Sequence, residues 1–162
     1  MARRNSSRPD FIPDYLTLFK PPSHEELFTR YYQPYPNVVA ALERGETATD
    51  AKTRALQLYE YQQYAAALPR LQTLRKESPQ AADLLFYTAL THAGLQQNEE
   101  AITLLKKVTA QADSPFTRQA HWYLALLLLK TDREEVARQH LHFLLNGNDL
   151  YARQSIQLLK EL

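Results

Sequence analysis

The chain has 162 residues, enough for one ordinary domain with a sizeable core or for a short helical array with a tail, and the pattern below favours the second. Its 19 basic residues stand against 18 acidic ones, so the charge points neither to nucleic acid nor to an anionic membrane surface as the main partner. Cysteine is absent, which excludes disulfides, thiol catalysis and thiolate metal sites, and three glycines among abundant Ala, Leu, Gln, Glu, Lys and Arg lead to an all-α expectation.

The start, Met1-Ala2-Arg3-Arg4-Asn5-Ser6-Ser7-Arg8, has the basic front of a signal peptide, but Pro9 and Asp10 stand where an apolar stretch should begin. No run approaches the roughly 18 apolar residues of a membrane helix. The longest is Leu124 to Leu129. The expectation is a cytoplasmic chain, or the soluble part of a longer protein whose targeting segment lies upstream. Arg3, Arg4 and Arg8 read as a solvated tail or a juxtamembrane flank.

Residues 1–45 differ from the rest. Six of the nine prolines and the aromatics Phe11, Tyr15, Phe19, Phe28, Tyr31, Tyr32 and Tyr35 fall before residue 37, and a disordered tail would be poor in aromatics. This lead is expected to pack on the remaining domain, 46–162. Ser23-His24-Glu25-Glu26 is a capping box and predicts a helix from about 24 to 32, ended by Pro34 and Pro36.

From about residue 48 a period governs the chain. Ala67, Ala101 and Ala137 are 34 and 36 residues apart; Ala55, Ala89 and Ala125 stand twelve before them, Leu71, Leu105 and Leu141 four after, and Leu74, Val108 and Leu144 seven after. A period near 34 belongs to helix–turn–helix units that bury their apolar faces only by stacking. Three such hairpins are predicted, at about 48–81, 82–115 and 118–149, with a capping helix over 150–162. Ser78-Pro79 and Ser114-Pro115 are expected to open helices as N-cap and first residue. Asn98 is expected to cap the second helix of the second unit, and Asp132-Arg133-Glu134-Glu135 to box the second helix of the third. The two extra residues between units two and three belong in the loop around Asp113. Pro69 lies inside a helix, where it removes one hydrogen bond. Gly147-Asn148-Asp149 stops the sixth helix and caps the last.

These registers resemble the tetratricopeptide repeat family over about 48–162. Pro79 fits the unit-end proline and Tyr64 the aromatic three before the alanine. Departures are Asp113 and Asp149 at the other unit ends, missing hairpin glycines, and a weak start over Thr47 to Arg54. The resemblance implies a right-handed α/α superhelix serving as a non-catalytic protein-binding scaffold without a cofactor. The segment Glu26 to Asn37 is also similar to a lead found in bacterial membrane-anchored tetratricopeptide proteins, which would make this the soluble domain of an envelope protein.

By the family's register the first helices line a concave groove at Lys52, Leu56 and Tyr59, then Phe86 and Leu90, then Trp122, Leu126 and Lys130. Leucines at 56, 90 and 126 stand where family members that clamp a peptide's terminal carboxylate place polar side chains, so no such clamp is expected. An apolar or amphipathic peptide suits this lining, with Phe86 and Trp122 as anchors. Alternatively the aromatic lead fills the groove permanently and the solenoid associates with copies of itself. A third reading is a ligand sensor with a pocket between lead and solenoid.

The histidines do not suggest a metal. His140 and His142 point about 200° apart on a helix, and His92 falls at a register where the neighbouring units have Leu58 and Leu128, so a hydrogen-bonded, partly buried imidazole is expected. No nucleophile with a base, no paired carboxylates and no phosphate-cradling glycine loop occurs, so an enzyme is not expected. Glu99-Glu100 and Glu134-Glu135 suit helix N-termini. The partner called for is a protein or peptide, not nucleic acid, and a membrane enters only through an upstream anchor.

Overall fold

The computed structural model describes residues 20–39 and 51–162. The expectations for Arg3, Arg4, Arg8, the signal-like start and residues 47–50 lie outside them. Among the described residues the chain forms eight helices and no strand. They are α1 (His24–Tyr31), α2 (Ala51–Glu60), α3 (Tyr64–Glu77), α4 (Ala82–Gly94), α5 (Asn98–Thr109), α6 (Thr117–Lys130), α7 (Glu134–Leu144) and α8 (Leu150–Glu161). The pairs α2/α3, α4/α5 and α6/α7 are hairpins, each packed on the next, with α8 closing the end on α7 and α6 and with α1 laid across α6.

The two kinds of helix differ as their surroundings require. Helices α4 and α6 are enclosed by neighbours on both sides and by the lead, and they bury unbroken runs, Leu84–Ala93 and Trp122–Leu129. The second helices keep one wet face: α5 buries Ala101, Ile102, Leu104, Leu105 and Val108, and α7 only Ala137, Leu141 and Leu144. All six register alanines (Ala55, Ala89, Ala125, Ala67, Ala101 and Ala137) are fully buried, because a methyl side chain lets helices approach where a larger one would hold them apart.

Three tight turns repeat in register. Gln62, Gln96 and Asp132 take φ of 57°, 61° and 56°. Each donates its N–H three residues back, and the next residue donates five back: Gln63 to Leu58 O at 2.8 Å, Gln97 to His92 O at 2.9 Å, Arg133 to Leu128 O at 2.8 Å. This is the Schellman closure, whose left-handed position favours glycine. The missing hairpin glycines therefore leave a backbone strain of about 1 kcal/mol each at positions taken by Gln and Asp. Gln62→Gly is expected to raise stability by roughly 0.5–1 kcal/mol, net of the entropy glycine adds to the unfolded chain. Urea denaturation of the variant checks it, and a loss of stability would contradict the assignment of strain.

The same turns correct several expected caps. Asp132 sits in the left-handed position, so Arg133 is the N-cap of α7 and no side-chain cap forms there. Asn98 is already helical, preceded by Gln97 without a capping bond, and its Oδ1 is buried without a partner. Ser78 ends α3, its N–H bonded to Leu74 O, and α4 starts four residues later. Ser114 begins a turn in which its Oγ accepts from Phe116 N at 3.2 Å, ahead of α6 at Thr117. Each Ser-Pro pair thus opens a turn that precedes the helix, because the chain must first reverse direction between stacked hairpins. The longer inter-hairpin loop is 110–116, around Asp113. Helix α3 runs on through Pro69, whose missing N–H falls on an exposed face. Asp149 does cap α8, accepting from Ala152 N at 2.9 Å. Arg118 grips that carboxylate at 2.5 and 2.9 Å and holds its pKa down to about 2, tying α8 to α6.

Candidate functional site

The first helices present their aromatic face to residues 24–38, and each side contributes what the other lacks. The capping box at Ser23 forms in both directions, Ser23 N to Glu26 Oε2 at 2.7 Å and Glu26 N to Ser23 Oγ at 3.3 Å, and starts α1. Leu27 and Phe28 turn inward and are buried. The Phe28 ring stacks on Tyr32 at 4.7 Å and lies beneath the Lys130 ammonium at 4.2 Å, a cation–π contact at the end of α6. Lys130 also reaches Gln96 Oε1 at 2.8 Å and Glu25 at 3.5 Å.

Both ends of α1 are pinned by charge. At its start His24 lies between two carboxylates of the third hairpin, Nδ1 at 2.9 Å from Asp132 and Nε2 at 3.1 Å from Glu134, which is itself held by Arg138. The Asp132 bond is the main cause of a raised His24 pKa. At its end Arg30 and Tyr31 both bond Glu161 on α8, the Tyr31 hydroxyl donating at 2.5 Å. Burial first, and the Glu161 bond second, push the Tyr31 phenol up to about 12. Tyr31 also meets Trp122 edge-on at 6.1 Å.

With both imidazole nitrogens facing carboxylates, both are donors only in the protonated ring. A raised histidine pKa contributes stability that is complete below the ordinary 6.5 and is lost as pH rises through the higher folded value. Raising the pH from 6 to 9 is therefore expected to loosen α1, and His24→Ala should remove that dependence. Amide exchange of residues 24–31 against pH reads it, and equal slopes in the two proteins would refute the clasp.

Beyond α1 the lead is extended and crosses from the third hairpin towards the first. Tyr32 meets Tyr123 at 5.6 Å and Tyr35 meets Phe86 at 5.3 Å, both edge to face. Three phenols then bond the lead's main chain: Tyr123 to Gln33 O at 2.6 Å, Tyr59 to Tyr35 O at 2.8 Å, and Tyr87 to Pro36 O at 3.0 Å. Val38 N donates back to the Tyr87 oxygen at 3.1 Å. Pro34 and Pro36 carry no N–H, so this stretch is rich in carbonyls and poor in donors, and tyrosine hydroxyls supply the donors. Burial is the first cause raising the pKa of Tyr59, Tyr87 and Tyr123, which keeps all three protonated and donating.

Of the groove residues expected from sequence, Leu56, Tyr59, Phe86, Leu90, Trp122 and Leu126 are all buried. Lys52 pairs with Asp83 at 2.6 Å, and Lys130 lies against α1. Sequence reasoning missed Tyr87 and Tyr123, although they stand 36 apart, each directly after a groove aromatic, so the doublets Phe86-Tyr87 and Trp122-Tyr123 were a readable signal. It also missed Phe116, which stacks on Phe86 at 4.9 Å, and the lead's contacts to Asp132, Glu134 and Glu161. His92 bonds Gln97 at 2.6 Å, a partnered, buried imidazole. His140 faces His121 at 2.9 Å between ring nitrogens, a pairing across two helices that spacing within one helix does not reveal. Burial lowers both pKa values, that of His121 to about 4, so both rings are neutral. Among the described residues no three or more metal-ligating side chains cluster, and no helix is long and apolar enough to cross a membrane.

A family model for the tetratricopeptide repeat matches residues 52–115 and again 90–141, a span that takes in most of the three hairpins. No curated protein and no solved structure matches the chain. The periodic alanines, the stacked antiparallel pairs and the repeated turns are what that family match describes at the level of sequence, and the chain belongs to the tetratricopeptide repeat family.

Proposed function

We propose that the protein is a non-catalytic interaction scaffold whose first-helix groove receives an aromatic peptide made of a short helix and an extended stretch, and that at rest the peptide is its own segment 24–38. The observation that carries this reading is the use of three tyrosine hydroxyls on main-chain carbonyls of that segment. Bonds to carbonyls do not depend on side-chain identity, while Tyr32 and Tyr35 fill ring-lined positions, so backbone capture plus aromatic anchors is the recognition mode. The lining is mostly apolar, and the hydroxyls of Tyr59, Tyr87 and Tyr123 face the segment's carbonyls, which suits binding a peptide.

The test uses the full chain carrying Tyr32→Ala and Tyr35→Ala to weaken the resident segment, and a synthetic peptide of residues 20–39 added in trans. Trp122, the single tryptophan, lies against the lead through Tyr31 and reports occupancy by fluorescence. Saturable binding to the variant with little binding to the parent is expected. Equal binding to both, or none to a variant that remains helical, would overturn the proposal.

A small-ligand role has one feature in its favour, a cleft of about 430 Å³ between Tyr35 and Val38 of the lead and Asp83, Phe116 and Gln119 of the hairpins. Its apolar lining suits a flat hydrophobic molecule. A thermal-shift screen of aromatic metabolites without a hit would count against it.

A further inference from the structure

Between the two helices of the third hairpin, His121 of α6 faces His140 of α7, with 2.9 Å between their Nδ1 atoms and 5.0 Å between ring centroids. Both rings are half-buried, and Phe143, one turn further along α7, stacks on His121 at 3.8 Å. Two imidazole nitrogens at that distance share one hydrogen, so one ring donates from Nδ1, while the other accepts at Nδ1 and carries its own hydrogen on Nε2. One added proton is accommodated, because it goes to Nε2 of the donor ring and leaves the bond in place. A second has only the accepting Nδ1 to go to, and it sets two N–H groups and two positive charges face to face.

We propose that this pair is an acid-sensitive latch between α6 and α7, closed while one hydrogen lies between the rings and opened when both rings are charged. Burial is the first cause that disfavours charge on either ring, and the neighbouring charges add to it, Arg118 on α6 acting on His121 and Lys106 on α5 acting on His140. Asp149, at the start of α8, is engaged by Arg118. The Phe143 face favours a charge on His121 but leaves the opposed Nδ1 atoms as they are. Helix α7 has little else to hold it, since it buries only Ala137, Leu141 and Leu144. Its start carries Glu134, which holds His24, and α8, packed on it, carries Glu161, which holds Tyr31. Opening the latch therefore withdraws both carboxylates from α1. The lead is held best between two limits, with the His24 clasp failing at high pH and the histidine pair failing at low pH.

In the opened hairpin each histidine takes up a proton at the ordinary pKa of about 6.5, whereas the closed pair takes up one at most. Between pH 7 and pH 5 the second proton alone raises the opening equilibrium about 25-fold. Native-state amide exchange of the full chain, corrected for the intrinsic effect of pH, should show that increase in α7 and not in α5. His140→Asn puts a neutral amide opposite His121 that accepts from the ring in either charge state, and it should cut the increase by about tenfold or more. Replacing both rings, His121→Phe with His140→Phe, should abolish it. The His24–Glu134 contact acts in the opposite direction and is common to the parent and the variants. Ring-nitrogen NMR of the parent at pH 8 reads the closed state directly, and one ring should carry its hydrogen on Nδ1 and the other on Nε2. Two rings in the same tautomer, an equal increase in α5 and α7, or an increase that survives in His140→Asn would overturn the proposal.

Discussion

Phe86→Ala is expected to destabilise the protein by about 3–5 kcal/mol, the range for removing a fully buried aromatic ring. The side chain has no exposed surface. Its ring stacks on Phe116 at 4.9 Å, meets Tyr35 at 5.3 Å and Tyr123 at 5.9 Å edge to face, and packs on Tyr87 at 5.5 Å. Truncation leaves a cavity walled by four rings from three separate parts of the chain, which cannot collapse together without moving α4, α6 and the lead. Against a total stability of order 5–15 kcal/mol, such a loss is a large share. Urea denaturation followed by Trp122 fluorescence measures it. The slope with urea should be unchanged, since the surface exposed on unfolding is the same. A loss under about 1 kcal/mol would mean that the ring lies outside the core. Phe86 and Trp122 are both buried core residues, so removing either tests folding before it tests binding.

Tyr35→Ala separates the two. This ring belongs to the lead, is half-buried, and meets Phe86, Tyr87, Phe116 and Tyr123 at 5.3 to 6.5 Å. Its loss is expected to cost roughly 2–3 kcal/mol, below that of Phe86 because part of the ring is already in water. The hairpins keep their own contacts, so the damage should be local. The amides of Tyr32 and Val38, which donate to Phe28 O and to the Tyr87 oxygen, should lose protection while α5 and α7 keep theirs. If the segment comes away in the native state, less surface remains to be exposed on unfolding, and the urea slope should fall, in contrast to Phe86→Ala. Uniform loss of protection along the chain would show that lead and hairpins unfold as one unit.

The tyrosine hydroxyls give the finer control. Tyr123→Phe keeps the ring and removes the donor to Gln33 O, and the carbonyl left without a donor is expected to cost about 1 kcal/mol. A thermal melt of Tyr123→Phe beside Tyr35→Ala divides the lead's attachment between main-chain capture and ring packing.

The repeat could be read directly from residues because it is built from local, recurring contacts. Ala67, Ala101 and Ala137 each close a hairpin with residues of the same unit, so one helix pair imprints the same small and large positions three times. The family, the all-α class, the terminal helix with its Asp149 cap and the α1 capping box follow from such short-range rules. Cap positions at Ser78, Ser114, Asn98 and Asp132 followed them less well, because the direction the chain takes between stacked hairpins sets the backbone there. Asp132 is the clearest instance. A helix-start motif read alone makes it an N-cap, but the Schellman closure needs a left-handed residue at that point and leaves its carboxylate for His24.

What the groove residues touch is a long-range matter. Tyr87 meets Pro36 across 51 residues, Tyr123 meets Gln33 across 90, and Tyr31 meets Glu161 across 130, and no periodicity relates the lead to the hairpins. An aromatic, proline-rich lead and an aromatic register on the first helices were legible in the residues alone, since composition and register are written in the chain. That the lead lies against the first helices, and that His24 and Glu161 hold its first helix at both ends, was settled by the packing of the folded chain. Those outcomes depend on which surfaces the stacking of hairpins brings within a few ångströms, and hydrogen bonds and ring contacts act only at that range.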